Sequence, residues 1–347
     1  DMTPSPENAI LSLGEVNMGS PAVLSDFIKW SVSSFPADNY ALILWDHGNS
    51  WYRFSGSDLS IDETNSDSLS IAGGEMRQAL SDSGIILSLL GIDACISSTM
   101  TLASEVNGYA DLIAANEDYL SSYGWNYSPV INAVFDEDGV ISPEELGLSF
   151  CREFYRHYED NAASVEWNSM SLLRMSAYPA IVSSFNLFCS ALLSDMELPL
   201  NDTDRLNKDR LMDVLHEYEL WNNRGNSDMG NVLGAISEDT ASFSLMVNTS
   251  ASDALLQYEI FVSTSLGEHL TSSYKEVPST GITINYINDP AYLESLTSSD
   301  LLWDEILFYK NSSEGFEISP NPCTGIFSIS GLYSNDTVRI FTIAGSR

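Results

Sequence analysis

The sequence predicts an α/β fold, a mostly parallel sheet flanked by helices with a small β-tail at the C-terminus, and three observations carry that prediction. Apolar runs of strand length at 40–46, 86–93 and 111–117 alternate with runs of helical period. Two of these strand runs end on residues with chemistry in their side chains: Ala41-Leu42-Ile43-Leu44-Trp45 passes into Asp46-His47-Gly48, and Leu89-Leu90-Gly91-Ile92 into Asp93-Ala94-Cys95. From about residue 311 the pattern changes to short alternating strands punctuated by turn residues.

Taken in order, Ser20-Pro21 reads as an N-cap followed by proline at the first helical position, and Leu24, Phe27, Ile28 and Val32 give that helix one apolar side. Strand 40–46 follows. Residues 52–70 are rich in Ser and Asp without a period and read as a solvated loop. A helix over about 72–82 stops at Gly84. Strand 86–93, a helix near 99–107 and strand 111–117 complete the alternation. Beyond Tyr127 helices are expected at 143–160, 178–194 and 206–221, and strands at 169–176, 242–248 and 281–287. One large domain over 1–310 and a β-module over 316–347 result, with no internal repeat.

A chain of 347 residues, 44% hydrophobic, can bury a large core. Its 49 acidic and 14 basic residues give a net charge of −35, which excludes nucleic acid and anionic lipid surfaces as partners and suits an extracellular or salty setting. No run of about 18 apolar residues is expected to insert into a membrane, and the start "DMTPSPENA" lacks the basic and apolar regions of a leader. The four cysteines, Cys95, Cys151, Cys189 and Cys323, are far apart with no C-x-x-C pair, against a zinc site or a disulfide framework.

In a doubly wound sheet, ligands bind beyond the carboxyl ends of the strands, which is where His47 and Cys95 fall. A thiolate attacks a carbonyl when a base raises its thiolate fraction, and an imidazole across a strand-end crevice can do that and then protonate the leaving amine. The backbone N–H groups of Gly48 and Cys95 are candidates for an oxyanion site, where each donor is worth roughly 10²–10³ in rate. Taken singly, Cys95 reads more readily as a small core residue and His47 as a capping group at a strand end.

The stretches "GEVNMGSPAVLSDFIKWSVSSFPADNYALILWDHGNSW", "GIDAC" and "ADLIAANEDYLSSYGWNY" resemble the clostripain family of cysteine peptidases, relatives of caspases and gingipains. The specific core covers 14–130, with weaker similarity at 281–287 and 301–309. Cys95 also follows His47 by 48 residues, close to the spacing of about 50 in caspases. The resemblance implies a caspase-like sheet, a His47/Cys95 dyad, and cleavage after Arg, with Lys the second choice. It places Asp93 in the acidic primary specificity pocket, where a carboxylate binds a guanidinium by a two-point contact. Asn126, within Gly124-Trp125-Asn126-Tyr127, stands where the family often has a second acid, which weakens that selection.

Departures from the family are Asn49-Ser50 in place of a glycine-rich turn, and "ISSTMTLASE" after the cysteine. The opening strand that precedes "GEVNMG" in the family is missing from the sequence, so the catalytic sheet is expected to lack a neighbour. Relatives mature by cutting themselves between histidine and cysteine after a basic residue. Of the two candidates, Arg53 opens the Ser/Asp loop and Arg77 sits in a helix, which favours Arg53.

No cofactor is expected, and calcium is the one candidate. "FDEDGVISPEEL" (135–146) imitates a calcium loop, but Val134 occupies the first-ligand position, and a cap by Ser142 and Glu145 with Pro143 in the first turn is favoured. His157, His216 and His269 have no partner motif, and Cys151 and Cys189 read as core. The tail, with Pro320-Asn321-Pro322 and Gly325, resembles a shortened C-terminal sorting domain of the type IX secretion system of Bacteroidetes. That implies a secretion machinery as partner and a secreted or cell-surface protein. The expectation is an extracellular cysteine endopeptidase acting on proteins or peptides with basic residues. The alternative is a catalytically silent caspase-like surface-binding protein, and a carboxylate-pair glycosidase has no motif behind it.

Overall fold

A computed structural model describes residues 9–48, 59–71, 73–121, 123–136, 140–160, 167–196, 198, 200, 206–220, 225–269, 279–286, 301–303, 306, 317–319 and 328–330. The chain divides into two units, Asp1–Leu307 and Phe308–Arg347.

In the larger unit, helix α1 (Pro21–Ser34) leads to strand β1 (Ala41–Trp45), a hairpin of β2 (Leu59–Asp62) and β3 (Asp67–Leu69), helix α2 (Glu75–Ser83), strand β4 (Leu89–Asp93), helix α3 (Met100–Val106) and strand β5 (Leu112–Ala115). Helices α4 (Tyr127–Asp136) and α5 (Pro143–Asp160) precede strand β6 (Trp167–Arg174), helices α6 (Tyr178–Asp195) and α7 (Asn207–Glu217), and strand β7 (Asn226–Asp228). Helices α8 (Met229–Glu238) and α9 (Leu245–Phe261) and strands β8 (Val262–His269) and β9 (Thr283–Asn285) follow.

The central sheet has the order β1-β4-β5-β6-β8. Strands β1, β4 and β5 pair in parallel, β6 runs against β5, and β8 runs against β6, so every strand but β6 points one way. β4 is buried at all five positions, as expected of an apolar run covered on both faces. Gly91 within it has no spare room: a Cβ there would stand 2.6 Å from Ile43 Cδ1 and 3.0 Å from the Trp125 ring. Below the sheet, Trp125, Phe150, Cys151, Phe154, Tyr158, Met170 and Leu172 form one cluster with Leu89 and Ala114. Each large side chain buried this way contributes about 1.5–3 kcal/mol. The core reading of Cys151 and Cys189 holds, both side chains being fully buried.

The structure corrects the sequence reading at several places. Part of the expected loop 52–70 is the β2/β3 hairpin, with Leu59 and Leu69 buried opposite each other. Asp62 organises it by accepting from the backbone N–H groups of Met18 and Asn65, both at 2.9 Å, which hold its carboxyl below the usual range. Residues 242–248 are not a strand. Ser244 accepts from Val247 N and starts α9, whose buried stripe Val247, Ala251, Ala254, Tyr258 and Phe261 has helical spacing. Helix α8, unexpected from the sequence, is capped by Asp228 through Asn231 N at 2.8 Å.

By length and composition alone, one helix among the described residues is apolar enough to cross a membrane. It is Met175–Asp195, whose most apolar 18-residue window has a mean hydropathy of 1.3. In the fold, α6 buries Tyr178, Ile181, Phe185, Phe188 and Leu192 and packs against α9. At the calcium-like stretch, Ser142 Oγ accepts from Glu145 N at 3.1 Å, as a cap should, while the Glu145 carboxylate pairs with Arg152 at 2.5 Å instead of turning back. In the smaller unit, β10 (Glu317–Ser319) and β11 (Ser328–Ser330) form an antiparallel pair. Pro320-Asn321-Pro322, Cys323 and Gly325 lie outside the described residues.

Candidate active site

The register of the two leading strands builds the site. Trp45 on β1 pairs with Asp93 on β4, and Asp46 N still donates to Asp93 O at 3.4 Å, one step beyond the ladder. His47 and Cys95 therefore each stand two residues past matched positions on adjacent parallel strands. Asp46 fixes the histidine turn, its two oxygens accepting from His47 N and from Ile61 N, both at 2.6 Å. Gly48 lies against the nucleophile turn: a Cβ on it would stand 2.6 Å from Cys95 O, 2.7 Å from Ala94 Cβ and 3.2 Å from Cys95 N. The two strand ends touch only because residue 48 lacks a side chain. Gly48→Ala is expected to push the turns apart and lower kcat/KM by about 100-fold with little loss of thermal stability. Kinetics beside a melting curve check this, and a fully active alanine variant would remove the close approach from the account.

The nucleophile turn is strained. Ile96, directly after Cys95, has φ +46°, a region that β-branched residues avoid at a cost of roughly 1–3 kcal/mol. The end of β5 holds it in place. Asp118 O accepts from Ile96 N at 3.0 Å, and Asn116 O accepts from Ser97 N at 2.8 Å and Ser98 N at 2.9 Å. Asn116 is itself anchored, donating to Ser169 O at 2.5 Å and accepting from Trp125 Nε1 at 2.7 Å. None of Ser97, Asn116 or Ser169 was singled out from the sequence. The polar run Asn116-Glu117-Asp118 straight after an apolar strand was the available signal.

Cys95 is half-buried and His47 exposed. Among the described residues both hydrogen bonds of the thiol go to Leu120, whose N–H donates to Sγ at 3.2 Å and whose carbonyl accepts from it at 3.6 Å. Burial pushes the thiol pKa up, and the negative charges of Asp118 and Asp93 push the same way, against the Leu120 N–H. Asp118 is raised by burial to about 6. These shifts favour the neutral thiol, held at Leu120.

Asp93 is fully buried. Its Oδ2 accepts from Trp125 N at 3.1 Å and from the Tyr127 hydroxyl at 2.6 Å, whereas Oδ1 has no donor among the described residues. Burial raises its pKa in spite of those two bonds. Gly124, at φ +63°, passes over it: a Cβ there would lie 3.1 and 3.4 Å from the two carboxylate oxygens and 3.3 Å from Trp45 Nε1. The Tyr158 hydroxyl donates to Gly124 O at 2.8 Å and holds that turn down. Asn126 is half-buried beside this group, and the partners of Asp93 are its neighbours Trp125 and Tyr127. Arg53 lies outside the described residues, while Arg77 is hooked onto Ser104 O, Glu105 O and the Glu105 carboxylate.

Behind the nucleophile turn sits a buried acid pair. Glu117 Oε2 accepts from Ser279 Oγ and from Gly281 N at 3.0 Å, and Asp228 accepts from Thr280 N and Thr280 Oγ1, both at 2.6 Å. Burial pushes both carboxyls up and the charge of Asp228 pushes Glu117 further, which favours one proton held by the pair. The folded protein keeps a proton that the unfolded chain releases above the ordinary glutamate value of 4.5. Stability is therefore full below that pH and falls as pH rises toward the folded pKa of the pair. Glu117→Gln keeps a donor toward Asp228 without the titration, and is expected to flatten the fall of Tm between pH 4.5 and 8. Parallel slopes for the two proteins would contradict the shared proton. Among the described residues no three His, Cys, Asp or Glu side chains converge to hold a metal.

A mostly parallel α/β sheet that carries a thiol and an imidazole at neighbouring strand ends is the build of a cysteine hydrolase. The comparisons agree. The model of the clostripain family matches residues 9–313, and the chain belongs to that family, whose members are cysteine proteases. Clostripain of Hathewaya histolytica is 30% identical over 156 residues, 41% of this chain and 30% of that relative, so the match spans less than a third of the relative's length.

Two solved structures share the fold. A C11 protease from Parabacteroides distasonis, described as an inactive zymogen, has a TM-score of 0.55 at 18% identity, covering 82% of this chain and 74% of its own. A secreted C11 cysteine protease from Bacteroides thetaiotaomicron, in complex with an irreversible peptide inhibitor, has a TM-score of 0.57 at 17% identity, covering 78% and 72%.

Proposed function

We propose that this chain is a secreted cysteine endopeptidase that cuts after basic residues, Arg or Lys, with Cys95 as nucleophile and His47 as base and acid. The observation that carries the reading is the matched register of β1 and β4, which sets both residues two positions beyond paired strand ends with Gly48 packed on Cys95. His47 takes the thiol proton, the sulfur bonds to the scissile carbonyl carbon, and the backbone N–H groups of Gly48 and Cys95 receive the oxyanion. The C–N bond then breaks as the amine takes the proton from His47, and water hydrolyses the thioester with His47 again as base. Asp93 Oδ1, buried without a donor among the described residues, is the acceptor for the basic side chain once the Gly124 turn lifts.

Fluorogenic peptides ending in Arg, Lys, Ala and Glu test this. Hydrolysis confined to the first two and abolished by thiol alkylation is expected. Binding of peptides without cleavage of any, with or without calcium, would favour the silent surface protein instead. The mechanism uses no cofactor, so EDTA is expected to leave the rate unchanged, and a calcium requirement would show as its loss.

Self-processing follows from the same chemistry, after Arg53, since Arg77 is tied into the fold by three contacts. Incubated protein is expected to acquire Phe54 as a new N-terminus in edman or mass-spectrometric analysis; an intact chain that is already active argues against it. We read the tail over 316–347 as an address to a secretion machinery, supported by the Pro320-Asn321-Pro322 opening. A tail-bearing cargo that stays inside a type IX-competent cell counts against that address.

A further inference from the structure

Resting on the protease reading above, we infer that Tyr127 decides between lysine and arginine at this pocket: it fills the second oxygen of Asp93, leaving one open oxygen that suits a lysine ammonium and denies arginine a two-point contact. A carboxylate oxygen has two lone pairs, and both of those on Asp93 Oδ2 are taken, by Trp125 N at 3.1 Å and the Tyr127 hydroxyl at 2.6 Å. Among the described residues nothing donates to Oδ1, which is buried. The planar guanidinium gains its advantage over an ammonium by placing parallel N–H groups on both oxygens of one carboxylate. Here the second landing point is occupied.

Three further features point the same way. Position 126, between the two partners of Asp93, carries an amide, so Asn126 adds no second carboxylate there. Tyr127 remains a donor throughout the working pH range, because burial and the neighbouring Asp93 push its pKa well above the usual tyrosine value. Its ring is held in place by Trp125, at a centroid distance of 6.4 Å, and by Phe150 edge-on at 6.0 Å, so the hydroxyl cannot easily swing off the carboxylate. Once the Gly124 turn lifts off the exposed Trp45, a compact charged head on an aliphatic stem can reach Oδ1. A lysine stem lies along the indole as well as an arginine stem does.

The test is kcat/KM for matched Lys and Arg peptides with the wild-type protein and with Tyr127→Phe, which keeps the ring and its packing. Wild type is expected to cut the Lys peptide at least as well as the Arg peptide, and Tyr127→Phe to raise the Arg-to-Lys ratio about tenfold by freeing Oδ2. A merely structural tyrosine would lower both rates together. Inhibition of wild type by butylamine and butylguanidine needs no variant and is expected to favour the amine or be equal. An Arg preference above tenfold in wild type, or an unchanged ratio in the variant, overturns the inference and leaves the protease reading standing. Failure to cut either peptide, with Cys95 unreactive toward electrophilic peptides, overturns both.

Discussion

Cys95→Ala is expected to lower hydrolysis of a basic-residue peptide by at least about 10⁴-fold, the scale seen when a nucleophile is removed from a catalytic pair that works as a unit. Stability should barely change. The side chain is half-buried, its hydrogen bonds go to one backbone unit, Leu120, and each such bond is worth about 1 kcal/mol. A fall of a few degrees in Tm is the most this predicts for a domain of this size. His47→Ala should fall to a similar floor, and the double variant no further, because neither group performs the reaction without the other. The strained Ile96 turn stays in all three proteins, held by Asn116 and Asp118. If Cys95→Ala keeps even a tenth of wild-type activity, the nucleophile is elsewhere.

Asp93→Asn is the second large effect, a drop of about 100-fold in kcat/KM toward Arg and Lys peptides, the cost of removing one partner of a buried, charge-assisted contact. Asparagine keeps a carbonyl oxygen to accept from Trp125 N and the Tyr127 hydroxyl, so the turn that crosses the pocket stays in place. The drop should fall on KM for basic substrates more than on the rate of a peptide with a neutral residue before the cut. Since burial raises the Asp93 pKa, binding of basic peptides by the wild type should also weaken as pH falls and the carboxyl takes a proton. An equal loss for basic and neutral peptides would mean that Asp93 only props up the turn.

The strand ends are legible because an apolar run of strand length that stops at an acid or an imidazole marks the rim, although of the two strands only β4 is buried on both faces and β1, at the sheet edge, buries Leu42 alone. Ala41–Trp45 and Leu89–Asp93 were both read that way, and helix 143–160 was recovered because Pro143 and a strong apolar face define it. The misses have a common physical cause. The β2/β3 hairpin hides in a Ser/Asp-rich stretch since it is organised by Asp62 accepting backbone N–H groups, a tertiary contact with Met18 that no local pattern reveals. Helix α9 was read as a strand at its start because Leu245, Met246 and Val247 are contiguous, although only Val247 of the three is buried. At the site itself, Leu120, Tyr127 and Glu117 act through contacts spanning 25, 34 and 164 positions of chain, to Cys95, Asp93 and Gly281. Spacing within a segment carries no trace of such partners.

Everything rests on one thiol at a strand end being the reactive one, and labelling tests that most directly. Wild-type protein would be treated with a peptide bearing Lys or Arg before an electrophilic ketone, digested and mapped by mass spectrometry. The account predicts a single adduct on Cys95, formed at a rate strongly reduced in His47→Ala and in Asp93→Asn, with Cys151 and Cys189 unmodified in their buried positions. Modification of either buried cysteine in the native protein, or an untouched Cys95 in protein that cleaves basic peptides, would contradict it.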